Sequence, residues 1–273
     1  MFRDFYFYIE GIIMKFLVQM NLIHEMGLAQ VRNAIESYPH QYVSVIPFSN
    51  ELISDEPVTG TDYLAYGSTL FIKLGHELGW KGVYFDYDNF NYETSVKHRS
   101  DMLNDDIILS ASEVIPMLES STVDTWFIRP ALDLKHFSGQ VIDRLECISW
   151  LKDAMKCASS GSYQIGPDLK IVLAQPKNIQ AEWRWFIVNG KVISGAMYRC
   201  HGQLVKNREL DQTVIDEAIQ LANDWLPHRN CVMDTALVDG KLYVVEFNCI
   251  NGSGFYGHDV SAIFKALALD YNV

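Results

Sequence analysis

From Lys15 onward the apolar positions fall into two alternating patterns, short strand-like runs and stretches with helical spacing. Lys15–Met20, Tyr42–Ile46, Tyr63–Tyr66 and Gly82–Phe85 predict strands. Between them, Glu25–Ser37 places Leu28, Val31, Ala34 and Ile35 at helical intervals, and Thr69–Gly79 forms a second helical run. This alternation predicts a small open α/β sheet with functional loops at the carboxyl ends of its strands. Gly67-Ser68, ahead of the second helix, could present amides to an anion, but one glycine is also what a plain turn needs, and it is read as a turn. Met14-Lys15 begins a better strand than anything before it, so residues 1–13 are set aside as an N-terminal extension or upstream start.

The pattern changes further along. Asp86–Asp106 is polar, aromatic and irregular, as expected of a connecting segment, and Ser110-Ala-Ser112-Glu113 opens a helix running through Leu118. Strands are predicted at 126–129, 171–175, 184–188, 191–198, 232–238 and 241–247, interrupted by helices Val141–Ala158 and Val214–Trp225. Asn189-Gly190 and Asp239-Gly240 mark tight hairpins, which makes this half α+β with an antiparallel sheet. The expected division is an α/β domain over 14–120 and an antiparallel-sheet domain over 121–273.

The second hairpin carries the chemistry. Glu246 and Asn248 are two apart on one strand and so share a face, with Phe247 opposite. Pairing across Asp239-Gly240 brings Asp234 level with them. Two carboxylates and an amide oxygen on one face form a hard-oxygen set of the kind Mg²⁺ uses when its other ligands are water and phosphate. A solvated polar face is the plainer alternative, but the apolar run Leu242–Phe247 reads as buried, and a carboxylate there needs a partner.

Composition limits what that site serves. The chain has 273 residues, 49% of them hydrophobic and 12% aromatic, enough for a sizeable core. Thirty-four acidic against 22 basic residues give a net charge of −12, which argues against a general nucleic-acid binder. Five widely spaced cysteines with no C-x-x-C pair predict reduced thiols and a cytoplasmic location. Charges at Arg3, Asp4, Glu10 and Lys15 interrupt the N-terminal apolar stretches, so neither a secretion signal nor a membrane span is expected.

In so acidic a chain, cations on core-like strands need anionic partners. Arg129 ends a predicted strand, Lys135 lies in the loop after it, and Arg184 and Arg199 flank the Asn189-Gly190 turn. Internal salt bridges to Glu182 or Asp133 would satisfy any one of them. Convergence of all on the sheet of an acidic metal site instead resembles equipment for stabilising a polyphosphate during phosphoryl transfer. There is no G-x-x-x-x-G-K-[ST] loop, no kinase H-R-D or D-F-G set and no G-x-G-x-x-G after a strand. A phosphate grip built from side-chain cations fits that absence.

The order Phe127-Ile-Arg-Pro130, Lys135-His-Phe-Ser-Gly139, Glu182-Trp-Arg184 and Asp234…Glu246-Phe-Asn248 resembles the ATP-grasp superfamily, most closely phage and bacterial ATP-grasp ligases. The resemblance spans roughly residues 14–265, with the specific motifs confined to 126–254. It implies an ATP-grasp fold with an open α/β domain ahead of an antiparallel nucleotide-binding half. It also implies ATP and Mg²⁺ as cofactors, with Asp234, Glu246 and Asn248 as metal ligands. Arg129 would stand where most members have a lysine touching the nucleotide, and Lys135 would reach the phosphates from its loop. Val172–Gln175 would be the hinge that binds adenine, and Glu182 would hold the ribose or orient Arg184. Arg184 and Arg199 would face the γ-phosphate or an acyl-phosphate. The sequence departs from the family at Gln175, where an acidic residue is usual, and in having one glycine in the loop after Arg129. The implied activity joins a small-molecule or peptide carboxylate to an amine through an acyl-phosphate. The alternatives are a small-molecule kinase acting on a hydroxyl and a non-catalytic nucleotide-binding protein. Asn251–Asp259 reads equally as an acceptor-site lining or a glycine-rich loop, and His258 as structural. The acceptor and the oligomeric state are not legible in the sequence.

Overall fold

A computed structural model describes residues 14–21, 27–46, 49, 51–84, 89–132, 136–159 and 165–273. Residues 1–13 therefore lie outside the described residues. Contacts divide the chain into two compact units, Met1–Tyr84 with Val260–Val273, and Phe85–Asp259.

In the first unit, β1 (Lys15–Gln19) is central and runs parallel to β2 (His40–Val45) on one side. The two-residue β3 (Leu52–Ile53) adds antiparallel to β2, and β4 (Tyr63–Tyr66) runs parallel to β1 on its other side. Helix α1 (Leu28–Ile35) buries Val31, Ala34 and Ile35, three of the positions picked out by spacing. Helix α2 (Thr69–Glu77) starts where Ser68 caps it, its hydroxyl accepting the Phe71 N–H at 3.3 Å. Gly67-Ser68 is thus a helix start, and the Ser68 N–H is already taken by Gln19 Oε1 at 2.9 Å. The C-terminal helix Val260–Tyr271 packs on α1 and sets Phe264 against Phe16 and Tyr66. At the predicted strand Gly82–Phe85 the structure has one parallel bridge, Leu64 to Gly82, and Phe85 lies outside the described residues.

The second unit begins with a short helix, α3 (Tyr92–His98), where the sequence predicts irregular chain. Asn91 caps it by accepting the Glu93 N–H at 2.8 Å. One antiparallel sheet follows in the order β5-β8-β6-β7, from β5 (Ile107–Ser110), β6 (Thr125–Pro130), β7 (Gln140–Asp143) and β8 (Lys170–Ala174). Helices α4 (Ala111–Ser120) and α5 (Arg144–Ser159) cover it. Ser110 and Glu113 close a capping box on α4, with the Ser110 N–H donating to Glu113 Oε2 at 2.8 Å. Because β5 pairs with β8, residues 107–120 belong with this unit, although sequence patterning groups them with the N-terminal domain. The predicted helix at Val141 starts later. Asp143 ends β7 and accepts the N–H of Leu145 and Glu146, so the break falls at a capping residue inside what reads as one apolar run. Ile128, Leu151, Ile171 and Leu173 are fully buried between these layers, each worth about 2 kcal/mol against solvent.

The last sheet carries the site. Its order is β11-β10-β9-β12-β13, antiparallel throughout, from β9 (Ala181–Val188), β10 (Lys191–Cys200), β11 (Gln203–Asn207), β12 (Cys231–Val238) and β13 (Lys241–Cys249). Helix α6 (Gln212–Asp224) precedes β12. Both predicted turns have two successive residues at positive φ, Asn189 (51°) with Gly190 (71°) and Asp239 (51°) with Gly240 (78°), the geometry of the tight hairpin turn that matches strand twist. All eight residues of β9 are buried. Among the described residues no helix is long and apolar enough to cross a membrane.

Candidate functional site

Register puts three charged side chains in one row. Arg184 on β9 faces Asp234 on β12, which faces Glu246 on β13. A regular count back from the turn would oppose Asp234 to Val245. Instead the register shifts by one between Thr235–Val244 and Asp234–Glu246, leaving Val245 as the extra residue of a β-bulge. Another shift, between Met197 and Arg199, makes Tyr198 the extra residue on β10. Two bulges thus aim side chains into the same face.

Four side chains there form two tight ion pairs. Arg184 donates twice to Asp234, from Nε to Oδ1 at 2.8 Å and from Nη2 to Oδ2 at 2.6 Å. Arg129, on the other sheet, donates from Nη2 to Glu246 Oε2 at 2.6 Å. Asn248 Nδ2 lies between the carboxylates, 3.4 Å from Asp234 Oδ2 and 3.2 Å from Glu246 Oε1. Glu182, read as holding the ribose or orienting Arg184, bonds neither Asp234 nor Arg184. It accepts from Tyr198 Oη at 2.8 Å and from Arg199 Nη1 at 3.2 Å.

Burial sets the electrostatics. It pushes the Asp234 carboxyl above its ordinary value, and the charge and hydrogen bonds of Arg184 oppose it. For Glu246 burial acts in the same direction, but Arg129, Arg184 and Asn248 outweigh it and hold that carboxyl below the usual range. Burial would lower the Arg184 guanidinium, yet Asp234 holds it above its ordinary value, so it remains charged. Burial and the charges of Asp234 and Glu182 raise the Tyr198 phenol, which stays a neutral donor.

These groups line a cleft of about 630 Å³ between the two sheets of the second unit. Of the residues singled out from sequence, Arg129, Glu182, Arg184, Arg199, Asp234 and Glu246 line it, and Asn248 is buried against the two carboxylates. Lys135 lies outside the described residues. Gln175 is exposed and is not among the lining residues; its backbone N–H donates to Asp106 Oδ2 at 3.0 Å. The lining residues there are Pro176 and Lys177, the latter reaching the same Asp106 oxygen at 3.2 Å.

Sequence reasoning does not single out Lys177 or Tyr198 as site residues, and takes Tyr256 only as part of Asn251–Asp259, read equally as an acceptor-site lining or a loop. Strand spacing reads Tyr198 as a core aromatic; its place beside Arg199 is the available signal. Tyr256 holds a positive φ of 44° amid glycines. Its ring stacks on Tyr198 with centroids 5.4 Å apart and covers the Arg184 guanidinium at 4.9 Å. His258, 1% exposed, accepts or donates through Nδ1 to Ser194 Oγ at 2.8 Å, and Arg208 holds the Gly257 and His258 carbonyls, so both sit inside a tied-down loop.

Whether this donor set suits Mg²⁺ turns on charge. Among the described residues no group of three or more His, Cys, Asp or Glu side chains could hold a metal; the set is two carboxylates and an amide. Three carboxylates, of Glu182, Asp234 and Glu246, already face three guanidiniums, of Arg199, Arg184 and Arg129. A bare dication would add uncompensated positive charge to a buried, balanced cluster. A dication arriving on a polyphosphate would not. The hard-oxygen donors therefore fit Mg²⁺ as the companion of a nucleotide.

A family model describing an ATP-grasp domain (R-2-K clade, second family) matches residues 106–266, more than half of the chain. Solved structures with a similar fold include a D-cycloserine synthetase, at TM-score 0.61 and 10% identity, covering 94% of this chain and 99% of that one. A RimK-domain ATP-grasp protein from Sphaerobacter thermophilus matches at TM-score 0.61 and 11% identity, covering 93% and 99%. D-alanine–D-alanine ligase from Bacillus anthracis matches at 0.57 and 14%, covering 95% and 99%. At such identities the likeness is one of fold. No curated protein matches the sequence. Fold and family model agree: the chain belongs to the ATP-grasp superfamily.

Proposed function

We propose that the protein is an ATP- and Mg²⁺-dependent ligase that joins a carboxylate to an amine through an acyl-phosphate. The observation that carries this reading is the meeting of Arg129 from one sheet with Arg184, Asp234, Glu246 and Asn248 from the other in a single nucleotide-sized cleft. A phosphoryl group in transfer carries charge on its oxygens and needs positioning and compensation more than covalent chemistry. Arg129, Arg184 and Arg199 supply guanidiniums of suitable geometry. Asp234, Glu246 and Asn248 would hold Mg²⁺, which when bound neutralises phosphate charge. Lys135 would contact the phosphates, and the 172–175 backbone with Gln175 would meet the adenine.

In the first step a substrate carboxylate oxygen bonds to the γ-phosphorus and ADP leaves with the electron pair of the broken P–O bond. In the second an amine bonds to the acyl carbon, phosphate leaves, and the amine gives up a proton. Likeness to ligase structures, one of them the Bacillus anthracis enzyme with ATP, is consistent with this chemistry. The substrates would be small-molecule or peptide carboxylates and amines, in a cytoplasmic setting.

The test is ADP release against a panel of carboxylates and amines. Release that needs both partners, with an amide product, supports the ligase. Release with a hydroxyl compound alone, giving a phosphate ester, would replace it with a kinase.

A further inference from the structure

Every carboxylate oxygen of the acidic pair is already engaged by an N–H donor. Asp234 gives both oxygens to Arg184. Glu246 gives Oε2 to Arg129 and Oε1 to Asn248, whose amide nitrogen, not its oxygen, faces the pair. Mg²⁺ takes oxygen lone pairs at about 2.0–2.1 Å in strict octahedral array, and on these oxygens it would stand directly beside two guanidiniums that repel it. Ligation by this pair therefore drives the arginines back by repulsion, and ligation by the Asn248 oxygen requires its amide to turn over.

Both arginines have second anchors that do not depend on the carboxylates. Arg184 Nη1 donates to Gly254 O at 3.2 Å, and its guanidinium lies under the Tyr256 ring. Arg129 donates from Nε to Pro130 O at 3.2 Å and from Nη1 to Val245 O at 3.4 Å, over the Tyr92 ring at 5.0 Å. Carbonyls and aromatic faces keep both heads in the cleft when the carboxylate is lost. What a withdrawn guanidinium then needs is another anion, because a buried unpaired charge is strongly unfavourable. A polyphosphate offers oxygens of the right planar spacing.

We propose that Arg129 and Arg184 are place-holding cations for Glu246 and Asp234: they exclude a bare divalent cation and release the carboxylates only to a cation delivered with a polyphosphate. This rests on the metal role proposed above and adds an obligatory coupling to it. Metal and nucleotide then bind as one unit, and by linkage each strengthens the other by the same factor.

Mn²⁺ serves as probe with a non-hydrolysable ATP analogue, its uptake by the protein followed by electron paramagnetic resonance and read against the analogue alone, which itself chelates Mn²⁺. Wild type should take up Mn²⁺ at least about tenfold more tightly with the analogue than without it. Arg184→Gln and, independently, the less buried Arg129→Gln should gain Mn²⁺ binding without nucleotide and bind the analogue more weakly. Arg129→Lys should keep the wild-type requirement, and a Mn²⁺-dependent rise in Tm for either Gln variant, absent in wild type, would register the gain even in a destabilised fold. Equal Mn²⁺ uptake with and without nucleotide in wild type would overturn the place-holding role while leaving the metal site standing. No uptake under either condition would remove both. Gln variants that stay nucleotide-dependent would also overturn the proposal.

Discussion

Arg129 reaches from β6 to Glu246 on β13 and meets its Oε2 at 2.6 Å, an ion pair that ties one sheet of the second unit to the other. It closes the cleft from the side opposite Arg184.

Removing that tie leaves Arg184 and Asn248 alone to offset the burial of the Glu246 charge. Arg129→Ala should destabilise the second unit by about 2–3 kcal/mol, below the full cost of a broken buried pair because Glu246 is partly exposed. Urea unfolding checks it, and an unchanged midpoint would show the pair to be a surface contact.

Nucleotide and metal together should stabilise the folded chain. At 100 times its dissociation constant a ligand adds about 2.7 kcal/mol, a rise in Tm of roughly 5–10 °C for a chain of this size. The rise should need Mg²⁺ and ATP together and should vanish in Glu246→Ala.

The hydroxyl of Tyr198 satisfies a Glu182 oxygen in a buried setting. Tyr198→Phe removes the donor without changing shape and should cost about 1–2 kcal/mol. By contrast Arg199 is 44% exposed, so Arg199→Gln should cost less than about 1 kcal/mol in stability while reducing turnover. The two variants separate structure from chemistry when unfolding and ADP release are measured side by side.

His258 titrates in the wrong place for a surface histidine. Burial, with Arg184 and Arg208 nearby, lowers it to about 3, so the folded protein keeps it neutral where the unfolded chain takes up a proton. Its contribution to stability should therefore be constant above about pH 7 and fall as pH drops below about 6.5, by about 2 kcal/mol at pH 5. His258→Asn keeps a polar partner for Ser194 but removes the titration. The stability difference between wild type and this variant should then shift by that amount, against wild type, between pH 7.5 and 5.

Gly195 lies against the Trp185 ring, where an added Cβ would approach Cζ3 to 2.3 Å. Trp185 is fully buried and donates to Thr235 Oγ1 at 2.8 Å, so it has little room to yield. Gly195→Ala should cost about 1–3 kcal/mol, measurable as a lower unfolding midpoint.

What the sequence discloses about this site, it discloses through turns and alternation. Asp239-Gly240 makes the hairpin legible, and Glu246 and Asn248 follow as same-face neighbours. Asp234 is level with them through the bulge at Val245, which no residue type announces; strict counting would put it opposite Val245. Tyr198 is hidden in a related way: strand spacing reads it as a core aromatic, and no residue type announces the bulge at which it meets Glu182. Helix α3 is obscured by its polar, aromatic composition, and β11 by its short, exposed, edge position. At the hinge, resemblance points to Gln175, and the residues that directly follow it, Pro176 and Lys177, line the cleft.

The bulge also divides β13 into two independently governed parts. From Lys241 to Val244 the strand pairs with β12 in the register the turn sets; from Glu246 to Cys249 it pairs with β12 one residue out of that register, and β12's own alignment with β9 is unbroken from Cys231 to Leu237. Val245 is the slack between them. A lengthened or shortened 239–240 loop would be taken up there before it displaced Glu246, so the acidic pair is insulated from changes at the tip of its own hairpin.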